Sequence, residues 1–229
     1  MAKVIPSAAI SRASGKIGGI TFSRGPFGDV IVAKSIPINS ESIKQLGIRS
    51  GFQALTKRWA QTLTATQQAG WVALAAAHKV PDVFGNLITL TGVQFYIKLN
   101  GSLRAISAAP IDTAPGALAT GAPGALTISA QASGTPHFTV SPAVAPAGNE
   151  VPVLWSLHAV NIGAHALLRK LTTVKVMAAG AGGPWAILTE WNQQFGRLQT
   201  GMVVVIKVQY TANDTGFQGV AYQASAIVT

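Results

Sequence analysis

From residue 40 onward the repeat of apolar residues changes once, from steps of three and four to steps of two, and that change sets the fold class. Ile48, Phe52, Leu55, Trp59 and Leu63 line one face of a helix expected over 40–63. Gly47 and Gly51 weaken its early turns and leave them open to being loop. Thr64-Ala65-Thr66-Gln67 has the form of a capping box, in which the hydroxyl takes the orphan N–H at Gln67 and the amide reaches back. It opens a second helix to about residue 78, with Trp71, Leu74 and Ala75 facing inward and Pro81 beyond its end. A tight turn is expected at Gly85-Asn86. Thr91-Gly92-Val93-Gln94 then repeats the cap for a third helix to about residue 106, carrying Phe95, Leu99 and Leu103 on one side. Phe52, Trp59, Trp71 and Phe95 are the expected core of this small helical domain, 40–106.

Beyond a stretch dominated by Ala, Pro, Gly, Thr and Ser, the alternation is that of strands. The segment 107–124 reads as a linker, with Ala-Pro-Gly-Ala-Leu at 114–118 and again at 122–126. Strands are expected at 126–130, 137–141, 151–160, 171–178, 202–211 and 221–228, with a weaker one near 185–188. Val204, Ile206, Val208 and Tyr210 make one apolar face, and Asn213-Asp214-Thr215-Gly216 signals a hairpin before the last strand. Short strands at this spacing over 125–229 fit an immunoglobulin-like or fibronectin III-like sandwich. The absence of cysteine removes the immunoglobulin disulfide, as it removes any thiolate metal site. The fold class is therefore α+β.

Residues 1–39 form the remaining piece, an extended, Gly-rich basic arm. Ile17-Gly18-Gly19-Ile20-Thr21-Phe22-Ser23 and Asp29-Val30-Ile31-Val32-Ala33 flank Arg24-Gly25-Pro26-Phe27-Gly28, a β-hairpin pattern. A hairpin this small has little core of its own and must lie on other protein. Residues 1–60 carry nine bases against two acids, whereas the rest of the chain carries eight against five. A basic N-terminal segment attracts nucleic acid or an acidic protein surface, but the charges are diffuse, with little aromatic interleaving. Lys3, Arg12, Lys16, Gly18, Gly19 and Arg24 are the candidate assembly residues: the glycines for close backbone approach, the cations for steering.

Catalytic chemistry has few handholds. Seven acids are scattered along the chain, and His78, His137, His158 and His165 show no helical metal spacing. Ser14-Gly15-Lys16 lacks the upstream glycine of a phosphate loop. No enzyme activity, cofactor, metal or small-molecule substrate is expected. Trp155, Trp185 and Trp191 are candidate glycan platforms, with burial as the competing fate. Only 10% of residues are Asp, Glu, Lys or Arg, against about 25% in a typical soluble domain, so part of the surface is expected to meet other protein. No signal peptide or membrane span is expected, and synthesis is expected in the cytoplasm.

One pattern is more specific. Gly18-Gly19-Ile20-Thr21-Phe22-Ser23-Arg24 with Gly28, then Pro37-Ile38-Asn39, Gln45, Arg49, Phe52, Trp59, Leu63-Thr64, Gln67 and Trp71 resembles a family of bacteriophage and prophage virion-associated proteins. Leu90-Thr91-Gly92-Val93-Gln94-Phe95-Tyr96 with Asn100 continues the resemblance, which covers about residues 15–106. Gly25-Pro26 follows Arg24 where the family often has Ser-Arg-Asn. The resemblance implies a structural role in a virion, as a capsid-associated or tail-associated subunit, with other virion proteins and further copies of itself as partners. A nucleic-acid-binding module and a surface- or glycan-binding adhesin are the alternatives.

Overall fold

The computed structural model describes residues 2–3, 15–25, 28–33, 41–81, 86–135, 137–156 and 171–229. Within them the chain is mixed α+β, with four α helices and several antiparallel sheets. It divides into two compact units, Met1–Leu46 and Gly47–Thr229.

The first unit is a sheet of β1 (Ala2–Lys3), β2 (Gly15–Ile17), β3 (Ile20–Gly25) and β4 (Gly28–Ala33), in the order β1-β4-β3-β2. Strands β3 and β4 pair from Ile20↔Ala33 to Gly25↔Gly28, which is the expected hairpin. The stretch expected as one strand over 17–23 is instead broken at Gly18-Gly19, the turn between β2 and β3. Gly18 has φ +57°, a left-handed conformation that glycine alone adopts without steric cost. Ile20, Phe22, Ile31 and Ala33 share one face of the sheet by register.

Helix α1 (Ile43–Gln61) opens at Ser42, whose hydroxyl accepts the Gln45 N–H at 3.3 Å. It runs unbroken through Gly47 and Gly51, so the early turns are helix rather than loop. Helix α2 (Ala65–Ala77) begins on the Thr64/Gln67 capping box. A two-strand ladder follows, β5 (Val80–Pro81) with β6 (Leu87–Ile88); residue 85 of the expected turn lies outside the described residues. Helix α3 (Gly92–Ala105) begins on the second capping box, Thr91/Gln94. Leu55, Leu63, Trp71, Ala75, Phe95, Tyr96 and Leu99 form the helical core. There the Trp71 and Tyr96 rings meet edge to face at 5.2 Å.

The segment 107–124 is not a free linker. Asn100, fully buried, accepts the Ile111 N–H at 2.7 Å and donates to the Ile111 carbonyl at 3.2 Å. The Trp71 indole donates to the Asp112 carbonyl at 2.8 Å, and Ile111, Ala114 and Leu118 pack on the helical core. Further on, the buried Glu150 carboxylate accepts the N–H groups of Gly121 and Ala147. Composition suggested a spacer, but backbone groups of Ile111, Asp112, Gly121 and Pro123 are met by partners distant in sequence. Buried backbone polar groups require such partners.

The remaining elements are β7 (Leu126–Gln131), β8 (His137–Pro142), β9 (Glu150–Ser156), β10 (Thr172–Val176), β11 (Trp185–Ala186), α4 (Leu188–Phe195), β12 (Val203–Ala212) and β13 (Tyr222–Ile227). They form two antiparallel sheets, β10-β9-β12-β13 and β11-β8-β7. Residues 157–160 of the third expected strand lie outside the described residues. Phe138 and Val140 meet Leu154, Val204, Ile206, Val208 and Tyr210 in one core. Burial pushes the Tyr210 phenol up to about 12, with the Glu150 charge adding to it, and its hydroxyl donates to the Val144 carbonyl. Helix α4 was not anticipated. Trp191 buries against Phe138 at 5.0 Å, and Leu188, Trp191 and Phe195 carry a helical three-four spacing.

The β12–β13 turn reaches the helical core, where Phe217 packs. At Gly216, φ +70°, a Cβ would collide with the Leu99 carbonyl and the Leu103 side chain. Helices and sheets are thus joined twice, through 107–124 and through this turn.

Replacing Asn100 with Leu keeps the branching of the side chain but strands the Ile111 N–H and carbonyl in a part-buried site. Urea denaturation should show a loss of about 2–3 kcal/mol. A loss below about 0.5 kcal/mol, the level of an inconsequential surface change, would mean that water replaces the amide there.

Candidate interaction surface

Helix α1 has 19 residues against 13 in α2 and 14 in α3. At 1.5 Å per residue it is longer than α2 by about 9 Å. Its apolar stripe is divided. Leu55 is buried and Trp59 half-buried against Tyr96, at 5.4 Å between ring centroids. Ile48 is 74% exposed and Phe52 is 58% exposed. Phe52 is therefore exposed rather than part of the core it was expected to join: at this level α1 turns Gly51 toward Arg104 of α3, and Phe52 stands about 100° round the helix. Trp71 and Phe95 are buried.

The helix is also basic, with Lys44, Arg49, Lys57 and Arg58 and no acid between Ile43 and Gln61. Lys44 and Arg49 flank the Ile48–Phe52 stripe at helical spacing. Arg58 is committed elsewhere. Its guanidinium grips both Asp112 carboxylate oxygens, at 2.6 and 2.7 Å. The hydrogen bond from Arg58 holds the Asp112 carboxyl below its usual range, against the upward pull of burial. The same bond raises Arg58.

Lys3 lies on β1 and Lys16 on β2, at opposite edges of the sheet, and Arg24 pairs with Asp29 in the β3–β4 ladder. Gly18 and Gly19 are exposed at the turn, with open space where a Cβ would stand. Arg12 lies outside the described residues, as do His158 and His165. Ile20, on the apolar face of the sheet, is 45% exposed.

Other candidate side chains are accounted for locally. Trp185 and Trp191 are buried, and the Lys207 ammonium sits 5.4 Å from the Trp155 ring centre. His78 stacks on Phe95, and His137 lies 2.7 Å from the Ser129 hydroxyl. Among the described residues no group of three or more His, Asp or Glu is placed to hold a metal ion, and no helix is long and apolar enough to cross a membrane. Sequence reasoning missed Asp112 and Arg104, whose roles depend on distant helices. The only trace was Gly51, a costly residue in mid-helix.

Comparisons with protein-family models, curated proteins and solved structures find no match for this chain.

Two predictions follow from this geometry. Trp59→Ala should cost roughly 2–4 kcal/mol in denaturant melts, as half-buried aromatic truncations do. Phe52→Ala should cost below about 1 kcal/mol, since its ring covers little of the core. Equal losses would place Phe52 in the core. Asp112 supplies a pH signature. Its folded pKa lies below the unfolded value, so the pair's stabilisation is complete above the ordinary carboxylate pKa of about 4 and is lost as pH falls through the folded value. After discounting for solvent screening at this partly exposed pair, Asp112→Asn should lower stability by about 1 kcal/mol near neutrality. The difference from wild type should close in strong acid, as read by thermal melts across pH, and a gap independent of pH would remove the ion pair from the account.

Proposed function

We propose that this protein is a non-enzymatic structural subunit of a bacteriophage virion, capsid-associated or tail-associated, which docks through its N-terminal half and projects a β-sandwich. The observation that carries the reading is the uncovered half of the α1 stripe. Ile48 and Phe52 continue the line of Leu55 and Trp59, yet face solvent. Apolar residues set in line this way are covered when another protein packs on them. The low charge content supports the same reading, as does a one-layer sheet whose apolar face carries the exposed Ile20. So does the resemblance carried by Gly18-Gly19, Arg24, Trp59, Gln67 and Trp71.

For the projecting part we propose a fibronectin III-like sandwich. Its first, second and fifth strands share one sheet, and its third, fourth, sixth and seventh share the other. This three-on-four arrangement supports that topology, with α4 inserted after the fifth strand. The partners are other virion proteins and further copies of the chain, and the site of residence is the particle.

A second reading, binding to nucleic acid, draws on the four bases and absent acids of α1. Its signature is affinity that falls steeply with salt.

Deletion of residues 2–35, and separately the double substitution Ile48→Asp, Phe52→Asp, should leave the protein folded but absent from purified particles. Electron microscopy and gel analysis of particles provide the measurement. Normal incorporation of both variants would sink the reading.

A further inference from the structure

A groove of about 440 Å³ runs between the second half of α1 and the C-terminal end of α3. Its floor is aliphatic, from Ala54, Leu55, Ala108 and Pro110, and three cations line it: Lys57, Arg58 and Arg104. No carboxylate lines it. Arg58 is neutralised by Asp112. Arg104 has no such partner among the described residues. A Cβ added at Gly51 would stand 2.6 Å from the Arg104 Nε and 2.9 Å from its Cζ. The exposed Arg104 side chain therefore passes close by α1 at Gly51, where an added Cβ would make it shift. Glycine in a helix interior costs about 1 kcal/mol relative to alanine. Helix α1 gives up that stability at Gly51, one of its two buried residues, and what fills the space is a cation.

We propose that this groove binds an acidic peptide segment of a different protein, its carboxylates on Arg104 and Lys57 and its aliphatic side chains on the floor. The proposal rests on the assembly reading only for the source of that segment. Charge complementarity selects the occupant. A guanidinium pairs with carboxylate in two parallel hydrogen bonds. A second copy of the chain is poorly equipped to supply the acid, since it has only seven, and four of them, Asp112, Glu150, Glu190 and Asp214, are engaged by Arg58, by backbone N–H groups, by Lys175 and by Asn149. Nucleic acid is disfavoured by the lining, which holds no aromatic ring on which a base could stack.

The test uses the full-length protein and a short fluorescein-labelled peptide of alternating Glu and Leu, followed by anisotropy. Binding should weaken with salt, and Arg104→Gln should weaken it by about tenfold, the loss of one charge-assisted contact. Gly51→Ala should weaken binding severalfold while the melting temperature holds or rises, because alanine favours the helix yet displaces the guanidinium. In the Arg104→Gln background, Gly51→Ala should change nothing further. Three results would each overturn the proposal: affinity indifferent to Gly51→Ala, equal binding of a Gln/Leu peptide, or tighter binding of single-stranded DNA that is also lost in Arg104→Gln. If peptide binding fails while particle entry still depends on Ile48 and Phe52, the groove proposal falls and the assembly reading stands. If the peptide binds as described but the protein is absent from particles, the reverse holds.

Discussion

The three long helices meet at two adjacent residues that belong to none of them. Ile111 is held by Asn100 of α3, the Asp112 carbonyl by Trp71 of α2, and the Asp112 carboxylate by Arg58 of α1. The Asn100 and Trp71 bonds satisfy polar groups that packing takes largely out of water, where an unpaired group would cost about 1–3 kcal/mol, and the partly exposed Arg58–Asp112 pair adds to them. The net gain per bond is modest, but the penalty for misplacing any one of the helices is large. The positions of the Lys57 and Arg104 groove, of the buried Tyr96 ring and of the divided α1 stripe all depend on this junction.

A similar arrangement secures the sheets. Glu150 accepts two backbone N–H groups, one from the end of the connecting segment and one from the turn before β9. A carboxylate so bonded bears burial that it would not bear alone. With the connecting segment pinned at both ends and the Gly216 turn seated on α3, the second unit does not divide where its composition changes. Surface properties therefore combine elements distant in sequence. The basic groove takes residues from α1, α3 and the segment after α3.

The distribution of exposed apolar residues gives this scaffold its direction. The sheet core is closed by Trp185, Ile187 and Trp191, and the helical core by the aromatic set around Tyr96. The uncovered residues on α1 are therefore not remnants of a poorly formed core. They extend a stripe whose other half is well packed, with bases beside it. Such a surface suits a partner that brings both apolar cover and negative charge.

Local signals determined the elements. Both capping boxes appear where Thr64/Gln67 and Thr91/Gln94 required them, because a cap acts within four residues. The strands from 126 onward follow from two-residue alternation, and Trp71 and Phe95 are buried as their helical spacing implied. The strand expected near 185–188 is observed at Trp185–Ala186, and the helix α4 that follows it was not read, although Leu188, Trp191 and Phe195 carry its spacing. What the sequence could not determine were relations between distant segments. Phe52 and Leu55 are both apolar on one stripe, and only the packing of the folded chain decides which of them is covered. The Ala/Pro/Gly composition of 107–124 describes a flexible chain until Asn100, Trp71 and Arg58 are brought to it. Gly51 reads as a weak point in a helix until Arg104 arrives from α3. In each case the deciding energy is desolvation, and desolvation depends on which neighbours the whole chain supplies.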